Sequence, residues 1–160
     1  MKVVAIVGKK KSGKTALIEH LIAYLKEYGN VGCIKHAHEL DLDMPVARDT
    51  DRLFTAGAEV VIGASTEKTM KICSRKNLRE LIAEMPTSGI DFVLVEGFKS
   101  SNLPKITLSD FSDSDEEVSN IIKKIDFREY SKMREEMIKE IVQIILSLED
   151  YKTNFLRKKA

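Results

Sequence analysis

Gly8-Lys9-Lys10-Lys11-Ser12-Gly13-Lys14-Thr15 fits G-x-x-x-x-G-K-[ST], the pattern of a phosphate-cradling loop, and it stands between an apolar strand run and an amphipathic helix. Few short motifs constrain a fold so tightly. The run before it, Val3-Val4-Ala5-Ile6-Val7, is β-branched at all positions but one, as a parallel strand buried on both faces requires. From Lys14 onward, Leu17, Ile18, Leu21, Ile22 and Leu25 recur at three- and four-residue spacing, with Glu19, His20, Lys26 and Glu27 on the other side. Gly29 and Asn30 stand where a left-handed cap is expected to end that helix.

Each residue type in the loop has a chemical reason. Gly8 and Gly13 let the chain turn, so that backbone N–H groups from Gly8 through Lys9, Lys10, Lys11, Ser12 and Gly13 approach phosphate oxygens beside the positive end of the helix. Lys14 is expected to reach the β- and γ-phosphates, and the Thr15 hydroxyl to bind Mg²⁺. The competing reading is a lysine-rich strand-to-helix turn without a ligand.

The rest of the chain alternates strand and helix patterns. Val31 to Ile34 reads as a second strand that delivers Lys35 and His36 to its C-terminal edge. An acidic loop follows; Pro45 is expected to block helix formation, and Asp49 or Thr50 to cap a short helix that runs through Ala56 and stops at Gly57. Val60 to Ala64 and Met70 to Cys73, separated by Ser65-Thr66-Glu67-Lys68, predict a hairpin. Asn77 then caps a helix carrying Leu78, Leu81, Ile82 and Met85, before the strands Phe92 to Val95 and Ile106 to Leu108. Beyond these, a helix is predicted over about 114–124 on Val118, Ile121, Ile122 and Ile125, and another over about 131–148 on Met133, Met137, Ile141, Ile144, Ile145 and Leu148. Residues 151–160 form a basic end expected to fray. The pattern predicts one α/β domain spanning 1–160, a three-layer nucleoside-triphosphatase-like fold with a mostly parallel central sheet and an additional β-hairpin.

Charge and composition exclude several partners. Lys and Arg total 26 against 25 Asp and Glu in 160 residues, so a net charge of +1 offers no field to draw the chain onto nucleic acid or anionic membrane. No apolar stretch is long enough to span a bilayer, and a cytoplasmic protein is expected. Cys33 and Cys73 lie in apolar runs without CxxC spacing, which predicts small buried hydrophobes.

In open α/β sheets ligands gather at the C-terminal strand edge. Glu96 sits there, at the end of Asp91-Phe92-Val93-Leu94-Val95-Glu96-Gly97, in the layout of a Walker B acid. It can hold Mg²⁺ through water or orient a water on the γ-phosphate. The stretch Lys35-His36-Ala37-His38-Glu39-Leu40-Asp41-Leu42-Asp43 leaves three readings open: contact with substrate or Mg²⁺, a solvated loop, or a transition-metal site. Asp49 and Arg52 belong to a helix start whose acids suit the dipole, while Arg48 and Arg52 can also offer forked donors to phosphate.

Taken together, V-G-K-K-K-S-G-K-T, I-K-H-A-H-E-L-D-L-D, R-D-T-D-R-L-F-T-A-G-A, V-L-V-E-G-F-K and P-K-I resemble the MobB family of molybdopterin-guanine dinucleotide biosynthesis adapter proteins over residues 3 to 106. The resemblance implies a P-loop fold, usually dimeric, that binds GTP and Mg²⁺ and assists the guanylyl-transferring enzyme MobA. It implies phosphate and Mg²⁺ binding by Gly13, Lys14 and Thr15, a site lined by His36, Asp41 and Asp49, and closure by Glu96. Departures are a missing glycine before Arg48, little resemblance after Ile106, and no N-K-x-D guanine signature. With no obvious glutamine to position water, and an arginine finger to come only from Arg48, Arg52 or a partner, GTP hydrolysis is expected to be slow. An ATP-dependent small-metabolite kinase and a GTP-driven metallochaperone using His36, His38 and a cysteine are the alternatives.

Overall fold

In the computed structural model the elements run β1 (Lys2–Val7), α1 (Lys14–Leu25), β2 (Val31–Lys35), α2 (Pro45–Thr55), β3 (Val60–Ala64), β4 (Thr69–Cys73), α3 (Leu78–Glu84), β5 (Phe92–Glu96), β6 (Lys105–Leu108), β7 (Ile121–Ile125) and α4 (Arg134–Ser147). The structure describes residues 1–37, 45–108, 118–126 and 134–152. They fall into two units, one built from residues 1–36 and 78 onward, the other from residues 37–77.

The first unit is a five-stranded sheet in the order β2-β5-β1-β6-β7, with every pairing parallel. The alternation of side chains along a strand divides its core in two. Val4, Ile6, Phe92 and Leu94 face one way and pack with Leu17, Leu21 and Leu25 of α1 and Ile138, Ile141 and Ile145 of α4. Val3, Ala5, Val7, Val93 and Val95 face the other way, against Ile82 and Leu81 of α3. Residues 3–7 are at most 3% exposed, which is why that run has no polar position. Each aliphatic side chain of that size, fully buried, contributes about 1.5–3 kcal/mol.

In the second unit β3 and β4 pair antiparallel from Val60↔Cys73 to Ala64↔Thr69, and α2 lies against both. The Ser65 hydroxyl closes the turn, accepting from the Lys68 N–H at 3.0 Å and donating to the Lys68 carbonyl at 3.1 Å. The mostly parallel sheet and the separate hairpin agree with the sequence expectation.

Four local expectations are corrected. Residues 121–125 are strand β7, and no helix reaches Lys124. The spacing of Val118, Ile121, Ile122 and Ile125 imitates a helix because the pairing register jumps: Lys105 faces Ile121 but Ile106 faces Lys123, leaving Ile122 as an extra residue. That irregularity lets Ile122 and Ile125 meet the same core cluster three residues apart. Pro45 opens α2 as its first residue, where its missing N–H has no helical partner to lose, so Asp49 and Thr50 are inside the helix and not its cap. Gly29 is not left-handed; a Cβ there would lie 2.6 Å from Asp91 Oδ2, and that carboxylate accepts the Asn30 N–H at 2.8 Å. Finally, Cys33 is exposed on the edge strand β2 and Cys73 is half-buried, both as free thiols.

The expected positions 38–43 of the histidine loop, including Asp41, together with 114–117, Met133 and 153–160, lie outside the described residues. Among the described residues no helix is long and apolar enough to cross a membrane.

Candidate functional site

β1 is buried through Val7, and the chain leaves its C-terminal end into the loop 8–13. The turn is tight enough to need left-handed backbone at Lys11 (φ 63°) and Gly13 (φ 85°). Gly8 serves differently, by leaving space: a Cβ on it would lie 2.7 Å from Ser12 Oγ. Lys9, Lys10 and Lys11 are exposed along the loop. Gly13 is the N-cap of α1 and provides no side-chain hydrogen bond, so the first N–H groups of the helix, at Lys14, Thr15 and Ala16, are left for another acceptor. Their partial positive charge favours an anion.

Lys14 has its ammonium folded back on the loop, donating to the Lys9 carbonyl at 2.6 Å. Burial lowers its pKa below the usual lysine range; the Glu96 carboxylate opposes this shift, and the ammonium groups of Lys99 and Lys35 add to it. Glu96, Lys35 and Lys99 are thus the charges felt at Lys14. Glu96, at the end of β5 and 15% exposed, is the acid in question. The Thr15 hydroxyl donates to its Oε2 at 3.0 Å, and the Lys35 ammonium lies 3.6 Å from that same oxygen.

Parallel pairing explains why these residues meet. β2 and β5 align Lys35 with Glu96, and β1 and β5 align Ile6 with Glu96, so the ends of all three strands reach one edge. The His36 N–H donates to the Glu96 carbonyl at 2.9 Å and the Gly97 N–H to the Ile6 carbonyl at 3.0 Å, which extends the sheet past its last residues. Gly97 then turns with φ 93°, and a Cβ on it would lie 3.1 Å from His36 Cβ. The His36 ring rests on Phe98, with centroids 4.6 Å apart.

The structure therefore brings together the loop 8–13, Lys14, Thr15, His36 and Glu96. Asp49 and Arg52 belong to the second unit, where they form an exposed ion pair at 3.7 Å one helical turn apart. Asp41 lies outside the described residues. Sequence reasoning missed Lys35 and Lys99 as charges felt at Lys14. Lys35 carried a signal, its place as the last residue of a strand ending at the ligand edge.

Lys105 entered the sequence reading only as the centre of P-K-I, with no role assigned to it. It is fully buried at the start of β6, and its ammonium donates to the carbonyls of Ser101, Leu103 (3.2 Å) and Ser119 (2.9 Å). All three donors are used by backbone oxygen, so its role is to tie the segment after β5 to the start of β7.

The Thr15 hydroxyl and Glu96 carboxylate are hard oxygen donors in contact, which fits Mg²⁺, an ion that takes few protein ligands and completes its shell with water and phosphate oxygens. Among the described residues no group of three or more His, Cys, Asp or Glu gathers to hold a metal by itself.

Comparison with known proteins agrees with this architecture. A family model described as molybdopterin guanine dinucleotide synthesis protein B, MobB, matches residues 3–126. The Escherichia coli K12 molybdopterin-guanine dinucleotide biosynthesis adapter protein is 38% identical over 104 residues, 61% of this chain and 59% of that protein. A Methanocaldococcus jannaschii relative is 35% identical over 113 residues, 68% of this chain and 47% of its own length. The chain thus spans about half to three-fifths of these relatives. Among solved structures, the MobB homologue from Bacillus stearothermophilus superposes with a TM-score of 0.67 at 22% identity, covering 92% of this chain and 100% of that one. Bacillus subtilis MobB gives 0.63 at 20% identity, covering 91% and 98%.

Proposed function

Because this chain belongs to the MobB family, we propose that it serves molybdopterin guanine dinucleotide biosynthesis as an adapter protein that binds GTP with Mg²⁺ and hydrolyses it slowly. In this reading it acts as a homodimer beside the enzyme that transfers the guanylyl group. The guanine of the product named in its relatives favours GTP over ATP.

The observation that carries the nucleotide reading is the 3.0 Å contact between Thr15 and Glu96 at the mouth of a loop whose helix has no side-chain cap. The amides of residues 8–13 and the start of α1 bind phosphate oxygen, and Lys14 exchanges the Lys9 carbonyl for the phosphates. Thr15 and Glu96 hold Mg²⁺, which when bound neutralises charge on the phosphates. Glu96 also orients water at that edge. The chain's one glutamine, Gln143, stands on α4 and not in the loops at this edge, which fits slow turnover and a role in assisting a partner.

Calorimetric titration of GTP and ATP with Mg²⁺ into wild type and Lys14→Ala tests the proposal. Wild type should prefer GTP, and the variant should bind about 10–100-fold more weakly, as loss of a charge-assisted contact worth about 1.5–3 kcal/mol implies. Equal binding by the variant, no binding by wild type, or turnover at kinase rates of about 1–100 s⁻¹ by the isolated protein would overturn it.

A further inference from the structure

We propose that Lys105 is a positioning residue for the nucleotide site: its ammonium and the Asn120 amide hold carbonyls of the loop between β5 and β6, and so fix the corner Gly97-Phe98-Lys99 and the His36 ring that rests on it. The inference rests on the nucleotide reading above and adds to it two residues that the phosphate-loop pattern does not contain.

The corner is strained. Directly after Glu96, Gly97 has φ 93° and Phe98 has φ 54°, so two successive residues have positive φ and the second is a bulky aromatic. Such backbone persists only where its surroundings over-determine it. The Gly97 N–H donates to the Ile6 carbonyl at 3.0 Å, the Phe98 carbonyl accepts the Ser101 N–H at 3.0 Å, and Phe98 packs against the cluster that contains Leu103. His36 completes the corner, its ring centroid 4.6 Å from that of Phe98.

A charge holds the other end of the loop. The fully buried Lys105 ammonium donates to the carbonyls of Ser101, Leu103 and Ser119. Asn120 Nδ2 donates to the Asn102 carbonyl at 3.0 Å, while the Asn120 carbonyl accepts the Lys105 N–H at 2.8 Å. With the Ala5 N–H on the Pro104 carbonyl at 2.9 Å, every carbonyl from Ser101 to Pro104 has a donor. A buried ammonium is costly to desolvate, and an aliphatic residue would fill a buried strand position without that cost. The charge adds geometry instead, because charge-assisted bonds to three carbonyls leave the loop one path. That path decides where Phe98 and Lys99 stand, since Ser101 is tied to Phe98 by a hydrogen bond and Leu103 belongs to the cluster on which Phe98 packs. Lys99 is among the charges felt at Lys14, so a displaced corner alters both the seat of His36 and the field at the phosphate-binding lysine.

The test compares wild type with Lys105→Met and Asn120→Gly, and with Ile145→Ala as a control that removes core packing on α4 without touching the loop. Asn120→Gly deletes the amide donor at φ 59°, a conformation glycine adopts freely, so this variant keeps the fold even if Lys105→Met unfolds. Two measurements are made on protein that circular dichroism shows to be folded. One is the His36 ring-proton resonance by NMR without nucleotide, with Phe98→Leu marking its position once the aromatic ring is gone; the other is GTP affinity by calorimetry with Mg²⁺. Lys105→Met should move the His36 resonance toward its Phe98→Leu position and weaken GTP binding about tenfold, and Asn120→Gly should change both in the same direction, with affinity down about two- to threefold. Ile145→Ala should lower the unfolding midpoint and leave both readouts as in wild type. If folded Lys105→Met, or Asn120→Gly where the first does not fold, keeps the wild-type His36 resonance or the wild-type GTP affinity, the inference is overturned and Lys105 is structural only. Should wild type bind neither GTP nor ATP, the nucleotide reading falls together with the site role built on it, and the His36 resonance separately decides whether Lys105 fixes the corner.

Discussion

Replacing Gly97 by alanine is the sharpest structural test of the edge that carries Glu96. At φ 93° the residue lies beyond the small left-handed well open to residues with a Cβ. Left-handed backbone costs about 1–2 kcal/mol even inside that well. The new Cβ would stand 3.1 Å from His36 Cβ, whereas carbon atoms prefer about 3.5–4.0 Å. Neither atom can rotate away, because both are fixed to backbone that is hydrogen-bonded to Ile6 and Glu96. Overpacking of this kind adds about 1–3 kcal/mol, and the reduced freedom of the unfolded chain returns about 0.4–1. The net expectation for Gly97→Ala is a loss of about 1–5 kcal/mol. Gly89 is the control: its φ is 67° and nothing lies within 4 Å of its would-be Cβ, so Gly89→Ala should lose about 1 kcal/mol or less. Urea unfolding of the two variants and wild type, with equal m-values, measures the difference. If both lose the same stability, the close approach to His36 has no energetic weight and the reasoning fails. A partial rescue of Gly97→Ala by His36→Gly, with coupling of about 1 kcal/mol, would identify the clashing atom.

Two further outcomes follow from the core. Lys105→Met leaves the carbonyls of Ser101, Leu103 and Ser119 without their donor and should lose about 1–3 kcal/mol in urea unfolding. Burial lowers the Lys105 pKa below its usual 10.5, so the unfolded chain holds the proton more tightly, and this group's contribution is present above 10.5 and lost as pH falls through the folded value. Wild type should therefore gain on Lys105→Met as pH rises through the alkaline window below 10.5, and the opposite slope would refute the assignment. Leu94→Ala, at a fully buried position of β5, should lose about 2–5 kcal/mol, against about 0.5 or less for Tyr28→Ala, which is 53% exposed. A loss under about 1 kcal/mol for Leu94→Ala would contradict the two-sided burial of that strand.

Much of the first unit was legible in the chain. The phosphate-loop spacing, the unbroken apolar run of β1, the stripe of α1 and the acid ending β5 are local patterns, and each states its own periodicity. Local pattern fails where a strand carries an irregularity: the extra residue at Ile122 gave β7 the spacing of a helix. It also fails where one residue type has two uses. Pro45 reads equally as a barrier or as a helix start, and Gly29 reads as a cap although it is needed for the approach of Asp91.

By itself, then, the sequence determined an α/β fold opened by a turn with the phosphate-loop pattern, because periodicity and glycine placement act over a few residues. The tertiary structure alone decided which charges share a site. Lys35 meets Glu96 through a register between strands 61 residues apart, and buried Lys105 finds carbonyls on two separate segments. Such pairings are set by how sheets and helices exclude water together, a property of the whole packed unit that no local window of residues contains.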